Sequence, residues 1–395
     1  MAIVVGSGAG GGTIAKELAA AGHDVLLIEK GPAIEERHAH RHYANIDAGV
    51  KVMRTCCLGG TTLVSAGNGM RCLERELREL GIDLAREFAK AEEELGVREL
   101  PDDLLGEGTR RLMSAARQLG HPVRKMPKFI DPDKCVSDGL CAFGCPAAAK
   151  WSAVRFVKEA EEHGARVITE RAVDAILTRH GEVSGVRCRR WEAADDLVVL
   201  AAGALETPRL LGRLGLPTSP LFVDTFATIG GVCPGAGFHR DVPMGAFVSY
   251  SGGLVLPHYS RQLVALLQDR GHPVGPADVL GMMVKIRDQD AGEVGETVLK
   301  GVTVRDAELL IEGGAIAGAI LERAGADPGT FVTAPLRGSH PGGTARIGVS
   351  VNTDLETEVS GLYVADASVL PAAPAAPPIL TIVALAKYAA GRMGR

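Results

Sequence analysis

Ala2-Ile3-Val4-Val5-Gly6-Ser7-Gly8-Ala9-Gly10-Gly11-Gly12 is the stretch on which the fold turns. A β-branched run passes into a glycine turn, residues 13–21 keep helical spacing, Gly22 ends the helix, and Asp24–Glu29 (DVLLIE) reads as a second buried strand. The order is strand, helix, strand. In Gly6-x-Gly8-x-x-Gly11 the first glycine permits the tight turn, the second lets backbone approach a pyrophosphate, and the third packs helix on strand. Glu29, at the end of the second strand, is placed to accept from ribose hydroxyls. With this context the glycines mark a dinucleotide site, with Gly6, Gly8, Ala9, Gly11 and Glu29 as candidate contacts, rather than a merely structural turn.

The surrounding composition fits. Fifty of 395 residues are glycine, about twice the ordinary share of ~7%, with no every-third-residue period. Collagen and disorder are excluded, and the glycines belong to particular turns. A hydrophobic fraction of 46% is ample for a core, and the length implies two domains. Net charge of −5 and 4% aromatics argue against a nucleic-acid surface or a base-stacking platform. No run reaches the length of a membrane helix, the longest candidate lying near Ile379–Ala386, so the chain is expected not to span a membrane. Met1 leads straight into the first strand. A cytoplasmic protein is the default expectation, and export beside a signal-bearing partner would leave the same sequence.

Residues Leu73–Glu99 and Leu104–Leu119 have the mixed-charge period of solvated helices. A Pro-, Asp- and Cys-punctuated segment follows, then a helix from about Ala153 to His163, short strands near Arg166–Thr169 and Ala175–Leu177, and a buried strand at Leu197–Leu200. Residues 215–335 differ in texture. They carry strand alternation at Gly245–Tyr250, Val279–Ile286 and Glu296–Val302 and two helices around Asp306–Glu312 and Ala315–Ala324, as a layer inserted into the first domain.

Several further motifs recur in one order: Gly59-Gly60-Thr61-Thr62, Leu200-Ala201-Ala202-Gly203, Ser339-His340-Pro341-Gly342-Gly343-Thr344, Ala365-Asp366-Ala367-Ser368 and Leu380-Thr381-Ile382. With them the chain resembles the glucose–methanol–choline (GMC) oxidoreductases, FAD enzymes that oxidise alcohols. The resemblance implies an α/β fold: a discontinuous Rossmann-like FAD/NAD(P)-binding domain (1–214 and 336–395) and an inserted α+β substrate domain on an antiparallel sheet (215–335). It places Gly59, Gly60, Thr61, Thr62 and Asn68 near the pyrophosphate and flavin ring. Ala202, Asp366, Ala367 and Leu380 join them as cofactor contacts, with Asp366 at the ribityl or phosphate region; its bland alternative is an N-cap acid for Ser368. Ser65, where relatives carry a flavin-linking His, gives no support for covalent attachment.

His340 is the expected catalytic residue. Oxidising an alcohol requires a hydroxyl proton to leave while hydride passes to the flavin, and imidazole titrates in the right range. The other ten histidines, the His38/His40/His42 group included, are read as surface or core residues. One departure stands out: the family's second catalytic His or Asn aligns with Pro377, which offers neither side-chain nor backbone donor. Asn68 or His239 could replace it, or His340 acts alone.

Cys135, Cys141 and Cys145 form C-x5-C-x3-C-P within residues 131–151, a thiol spacing that suits an iron–sulfur cluster. The segment is similar to that of the iron–sulfur FAD glucose dehydrogenases of bacteria, which implies a [3Fe-4S] cluster in preference to [4Fe-4S]. Zinc lacks an obvious fourth ligand, and a relic Cys turn is the bland alternative. The expected function is therefore an FAD-dependent dehydrogenase of an alcohol or sugar, passing electrons through the cluster to an acceptor protein or quinone. Pro377 also motivates non-redox lyase or isomerase chemistry on the same cofactor, and an electron-transfer subunit without its own substrate is a third reading.

Overall fold

Short, largely apolar strands buried on both faces are what a parallel sheet between helices demands. In the computed structural model, which describes residues 1–393, such a sheet runs in the order Leu362–Val364, Val198–Leu200, Ala2–Val5, Val25–Ile28, Arg166–Ile168, parallel throughout. Its central strand places Ile3 opposite both Val198 and Leu26. The helix Ala9–Ala20 crosses from the first strand to Val25–Ile28 and packs on the helices Ala153–Glu162 and Ile379–Ala390. Its glycines explain the close approach. A Cβ on Gly11 would stand 1.8 Å from the Gly6 carbonyl oxygen, and one on Gly10 1.6 Å from that of Ala365.

The second sheet is antiparallel at its centre. Thr225–Val232, Val279–Ile286, Gly253–Pro257 and Ala246–Tyr250 pair in that order, and every residue of Val279–Ile286 is buried. The inserted layer does not stand alone, however. Val123–Lys125 extends one edge, and Arg337–Gly338 with Lys51–Val52 and Ile46–Asp47 extends the other. Strands from outside the boundaries read at 215 and 335 thus join those from inside in one sheet. Two-residue strands carry no alternation from which a sequence reading could detect them.

One correction concerns the helices read at Asp306–Glu312 and Ala315–Ala324. They form a single helix, Val304–Arg323, opened by a Thr303/Asp306 capping box. Gly313, which looked like a break, is a packing residue: its Cβ would meet Val284 Cγ1 at 2.4 Å and the Tyr250 hydroxyl at 2.7 Å. No described helix is long and apolar enough to cross a membrane.

Candidate active site

The two sheets enclose one large cavity of about 970 Å³. Its floor is the turn Gly6–Gly10, its far wall the substrate-side sheet with Ser339, His340 and Pro341. Gly6 has φ +98°, and a Cβ there would meet the Ala201 carbonyl oxygen at 2.3 Å, so the tight turn requires glycine. Gly8 caps the Ala9–Ala20 helix without any side-chain hydrogen bond, leaving its first N–H groups open to an anion. Gly60 lies across from it, with Gly8 Cα 3.4 Å from where a Gly60 Cβ would be. Two glycine turns therefore face each other over a space that side chains do not fill.

Glu29 ends its strand on the cavity wall, as expected. Its Oε2 accepts from Ser7 N (3.0 Å) and Oγ (2.6 Å), its Oε1 from Gly31 N (2.8 Å), and Ser7 Oγ in turn accepts from Gly59 N (2.9 Å). Ala9, Thr61, Thr62, Asn68, Ala202 and Ala367 also line the cavity. Gly11 and Gly59 do not. Gly11 serves as the packing glycine, and a Cβ on Gly59 (φ +84°) would strike Leu63 and Val154. Leu380 is fully buried in the core, while its neighbours Ile379 and Ile382 reach the cavity. Helical rotation accounts for that difference. Asp366 borders the cavity, but its Oδ1 accepts from the Ser368 N–H and hydroxyl and its Oδ2 from Gly203 N (2.8 Å) and the Thr207 hydroxyl (2.6 Å). Four protein donors saturate the carboxylate, so the N-cap alternative describes its side chain and Asp366 holds the Gly203 turn in place.

His340 is on the cavity wall with two partners that sequence reasoning missed. Its Nδ1 lies 3.0 Å from Asp224 Oδ2 and 3.3 Å from Lys285 Nζ. Asp224 is fully buried, has φ +51°, and takes the Ala375 N–H on Oδ1 at 3.0 Å. That left-handed backbone is fixed from behind: Asp288 accepts from the Asp224 N–H (2.9 Å) and the Thr225 hydroxyl (2.9 Å), and Asp288 is itself paired with buried Lys300 at 3.1 Å. Lys285 also donates to Ser339 Oγ at 3.1 Å. Burial pushes the Asp224 carboxyl up, opposed by Lys285 and the Ala375 N–H, and pushes the Lys285 ammonium down, opposed by Asp224 and Asp288. Burial first, then the Lys285 charge, holds the His340 imidazole well below its ordinary range. The one visible signal in the sequence was Lys285 itself, a lone cation in the apolar run Val279–Ile286.

Pro377 lines the cavity and offers neither a side-chain nor a backbone donor there. Asn68 and His239, the candidate replacements, are both on the wall. Asn68 Oδ1 is held by buried Lys128, and its amide nitrogen faces Met244 Sδ at 3.5 Å.

Cys135, Cys141 and Cys145 converge on a second, small pocket whose wall residue Gly139 also lines the large cavity. Among the described residues no group of three His, Cys, Asp or Glu stands in metal-ligating geometry. Two buried lysines flank this segment. Lys150 Nζ donates to the carbonyls of Thr62, Leu63, Ser65 and Cys141, and Lys128 to those of Ala66 and Pro243. Burial brings Lys128 down to about 7 and Lys150 to about 8, with the Cys141 thiol acting against both shifts.

Comparison with known proteins agrees with this layout. The GMC oxidoreductase N-terminal family model matches residues 2–231 and the C-terminal model residues 301–386. An uncharacterised protein of Methanocaldococcus jannaschii is 33% identical over 390 residues, 97% of each chain. An uncharacterised GMC-type oxidoreductase of Mycobacterium tuberculosis is 32% identical, covering 98% of this chain and 74% of its own. A long-chain-alcohol oxidase of Arabidopsis thaliana is 27% identical over 55% of this chain and 34% of its own. Pyridoxine 4-oxidase, whose crystal structure is from Mesorbium loti, shares the fold with a TM-score of 0.72 at 16% identity, covering 99% of this chain and 98% of that one. With its paired glycine turns, its two-sheet cavity and both family models in order, the chain belongs to the GMC oxidoreductases.

Proposed function

We propose that the protein is an FAD-dependent dehydrogenase that oxidises the CH–OH group of a small alcohol or sugar, with His340 as the base. The observation that carries this reading is the 3.0 Å contact between His340 Nδ1 and buried Asp224 on the wall of the cavity. The open N-terminal amides after Gly8, the Gly60 turn and Glu29 fit a dinucleotide, and FAD is the cofactor the family implies. FAD, when bound, would supply the hydride-accepting chemistry that alcohol oxidation needs. Asp224 holds Nδ1 as a donor, which leaves Nε2 bare to take the hydroxyl proton, so the alcohol leaves as a carbonyl compound. The Lys285 charge keeps the ring unprotonated before the reaction, and Asp224 compensates the imidazolium that forms. Anaerobic reduction of the bound flavin by a panel of alcohols tests this reading; bleaching supports it, and none with any alcohol contradicts it.

The low basicity of His340 predicts a pH profile. Because burial and Lys285 depress its pKa below the usual 6.5, the base form persists on the acid side of that value. kcat/KM should therefore show no limb from His340 at its ordinary 6.5; the Asp224 carboxyl beside it, raised by burial to about 7, sets the acid limb instead. Lys285→Met removes a charge that opposes protonation of both groups and should move that limb upward. Asp224→Asn removes the carboxyl and should leave kcat/KM level down through pH 6.5; a limb that stays at or above 6.5 in that variant would contradict the assignment.

The choice of dehydrogenase over oxidase rests on the three-cysteine pocket, since the similar long-chain-alcohol oxidase and pyridoxine 4-oxidase are oxidases. Cys135, Cys141 and Cys145 would hold an iron–sulfur cluster, which supplies one-electron transfer toward a haem protein or quinone. The donor set is of the right kind, on one pocket that shares Gly139 with the cavity, and the Lys128 and Lys150 ammoniums offset thiolate charge. Anaerobically purified protein is expected to contain iron and acid-labile sulfide with its flavin, both lost in Cys141→Ser. Flavin with neither iron nor sulfide would remove this part of the proposal.

A further inference from the structure

Arg337 is a cation without a counter-ion. It belongs to the strand three residues before His340, it is half-buried, and it lines the cavity. Among the described residues its guanidinium makes no hydrogen bond and no ion pair; burial lowers its pKa, opposed by Tyr43. Its position in the sheet is informative. Phe226 pairs with Arg337 on one side and with Lys285 on the other, so the three stand in one row on the face that roofs the cavity. The Lys285 ammonium lies 5.4 Å from the Phe226 ring centre. Lys285 donates to Ser339 and stands beside the charge of Asp224. Arg337 does neither.

The acids on the cavity wall do not serve it. Glu206 pairs with Arg54 at 2.8 Å, Glu29 and Asp366 are committed to the turns described above, Asp174 accepts the Arg189 N–H, and Asp241 accepts the Thr109 N–H at 2.6 Å. Two more cavity residues, His239 and His258, each leave a buried Nδ1 without any partner. Burial first, and then the charges of Arg337, Lys285 and Lys128, bring His258 down to about 4. The roof beside His340 is therefore electropositive and short of acceptors. A half-buried guanidinium without a protein partner is free to pair with an acceptor that a ligand brings, and a carboxylate or phosphate is the group its paired donors match.

We infer that Arg337 anchors an oxyanion on the substrate, which is then a small hydroxy acid or phosphorylated alcohol rather than a neutral alcohol or free sugar. The inference rests on the alcohol-oxidation reading above and narrows it. The anionic end docks under Arg337 on the same roof that carries His340, and the hydroxyl is presented to Nε2.

Binding without turnover tests it. Flavin-loaded protein is titrated with acetate, with inorganic phosphate and with neutral ethylene glycol, and the perturbation of the flavin visible band is followed. Saturable perturbation by acetate or phosphate is expected, the stronger of the two naming the class, with ethylene glycol weaker. Arg337→Met should weaken anion binding by about tenfold or more and Arg337→Lys by less, because charge survives but the paired donors do not. Flavin content should be unchanged in both, and Arg337→Met should melt no lower than the parent. Anion binding that is absent, or unchanged in Arg337→Met, overturns the inference; so does loss of flavin from that variant, which would give Arg337 to the cofactor. Because no turnover is needed, such a failure leaves the oxidation reading standing, and a failure to bleach flavin with any alcohol leaves the anion titration to decide this point.

Discussion

His340→Ala is expected to slow anaerobic reduction of the flavin by about 10²–10⁴-fold at saturating substrate, the range of a positioned general base. Flavin content and melting temperature should stay near those of the parent. The ring is partly exposed to the cavity, with 18% of its side chain accessible, and its loss leaves Asp224 still holding the Ala375 N–H and the charge of Lys285. Asp224→Asn separates positioning from proton transfer. An amide in place of the carboxylate can present either O or NH₂ to Nδ1 and no longer compensates the imidazolium, so the rate should fall while Nε2 remains in place. His340→Ala reducing its flavin at the parent rate would remove the assignment of the base. A parent-like rate in Asp224→Asn would remove only the positioning role.

The largest effect on stability is expected from a residue outside the reacting centre. Lys150 is 1% exposed, and its ammonium meets the carbonyl oxygens of Thr62, Leu63, Ser65 and Cys141 at 2.8–3.2 Å. These carbonyls belong to the loop that begins at Gly60 opposite Gly8 and to the cysteine segment. Lys150→Met leaves four buried acceptors without that donor and should cost on the order of 3–5 kcal/mol, even though the desolvation of the charge is also relieved. Purified Lys150→Met should melt several degrees lower and lose flavin together with the order of residues 60–68. A melting point within about 2 °C of the parent and full flavin content would show that the loop does not depend on this tether.

What was legible in the sequence was what local chemistry carries. The turn Gly6–Gly11 between two apolar strands announced the parallel sheet, because Gly6, Gly10 and Gly11 each answer a close approach of backbone to backbone. His340 was legible through its neighbours Pro341 to Thr344. Its partners were not: Asp224 lies 116 residues and Lys285 55 residues earlier, and the sheet register that joins them has no local trace. A general signal did exist in the charges placed in apolar surroundings. Lys128, Lys150, Lys285 and Lys300 are each almost wholly buried, a state lysine adopts only with partners, and each proves to hold a loop or an acid that the site needs. Gly313 misled for a related reason. A glycine pair inside a helical pattern reads as a break until the Tyr250 and Val284 side chains that press on it are seen.

The central claim is that this cavity oxidises an alcohol through its flavin with His340 as base. The most direct measurement is an anaerobic titration of the flavin-loaded protein with carboxylate-bearing, phosphorylated and neutral alcohols, recording the flavin visible band and the carbonyl product. The account predicts bleaching by at least one class, one carbonyl formed per flavin reduced, and loss of the rapid phase in His340→Ala. An oxidised flavin spectrum after every alcohol, or bleaching that proceeds equally fast in His340→Ala, would contradict it.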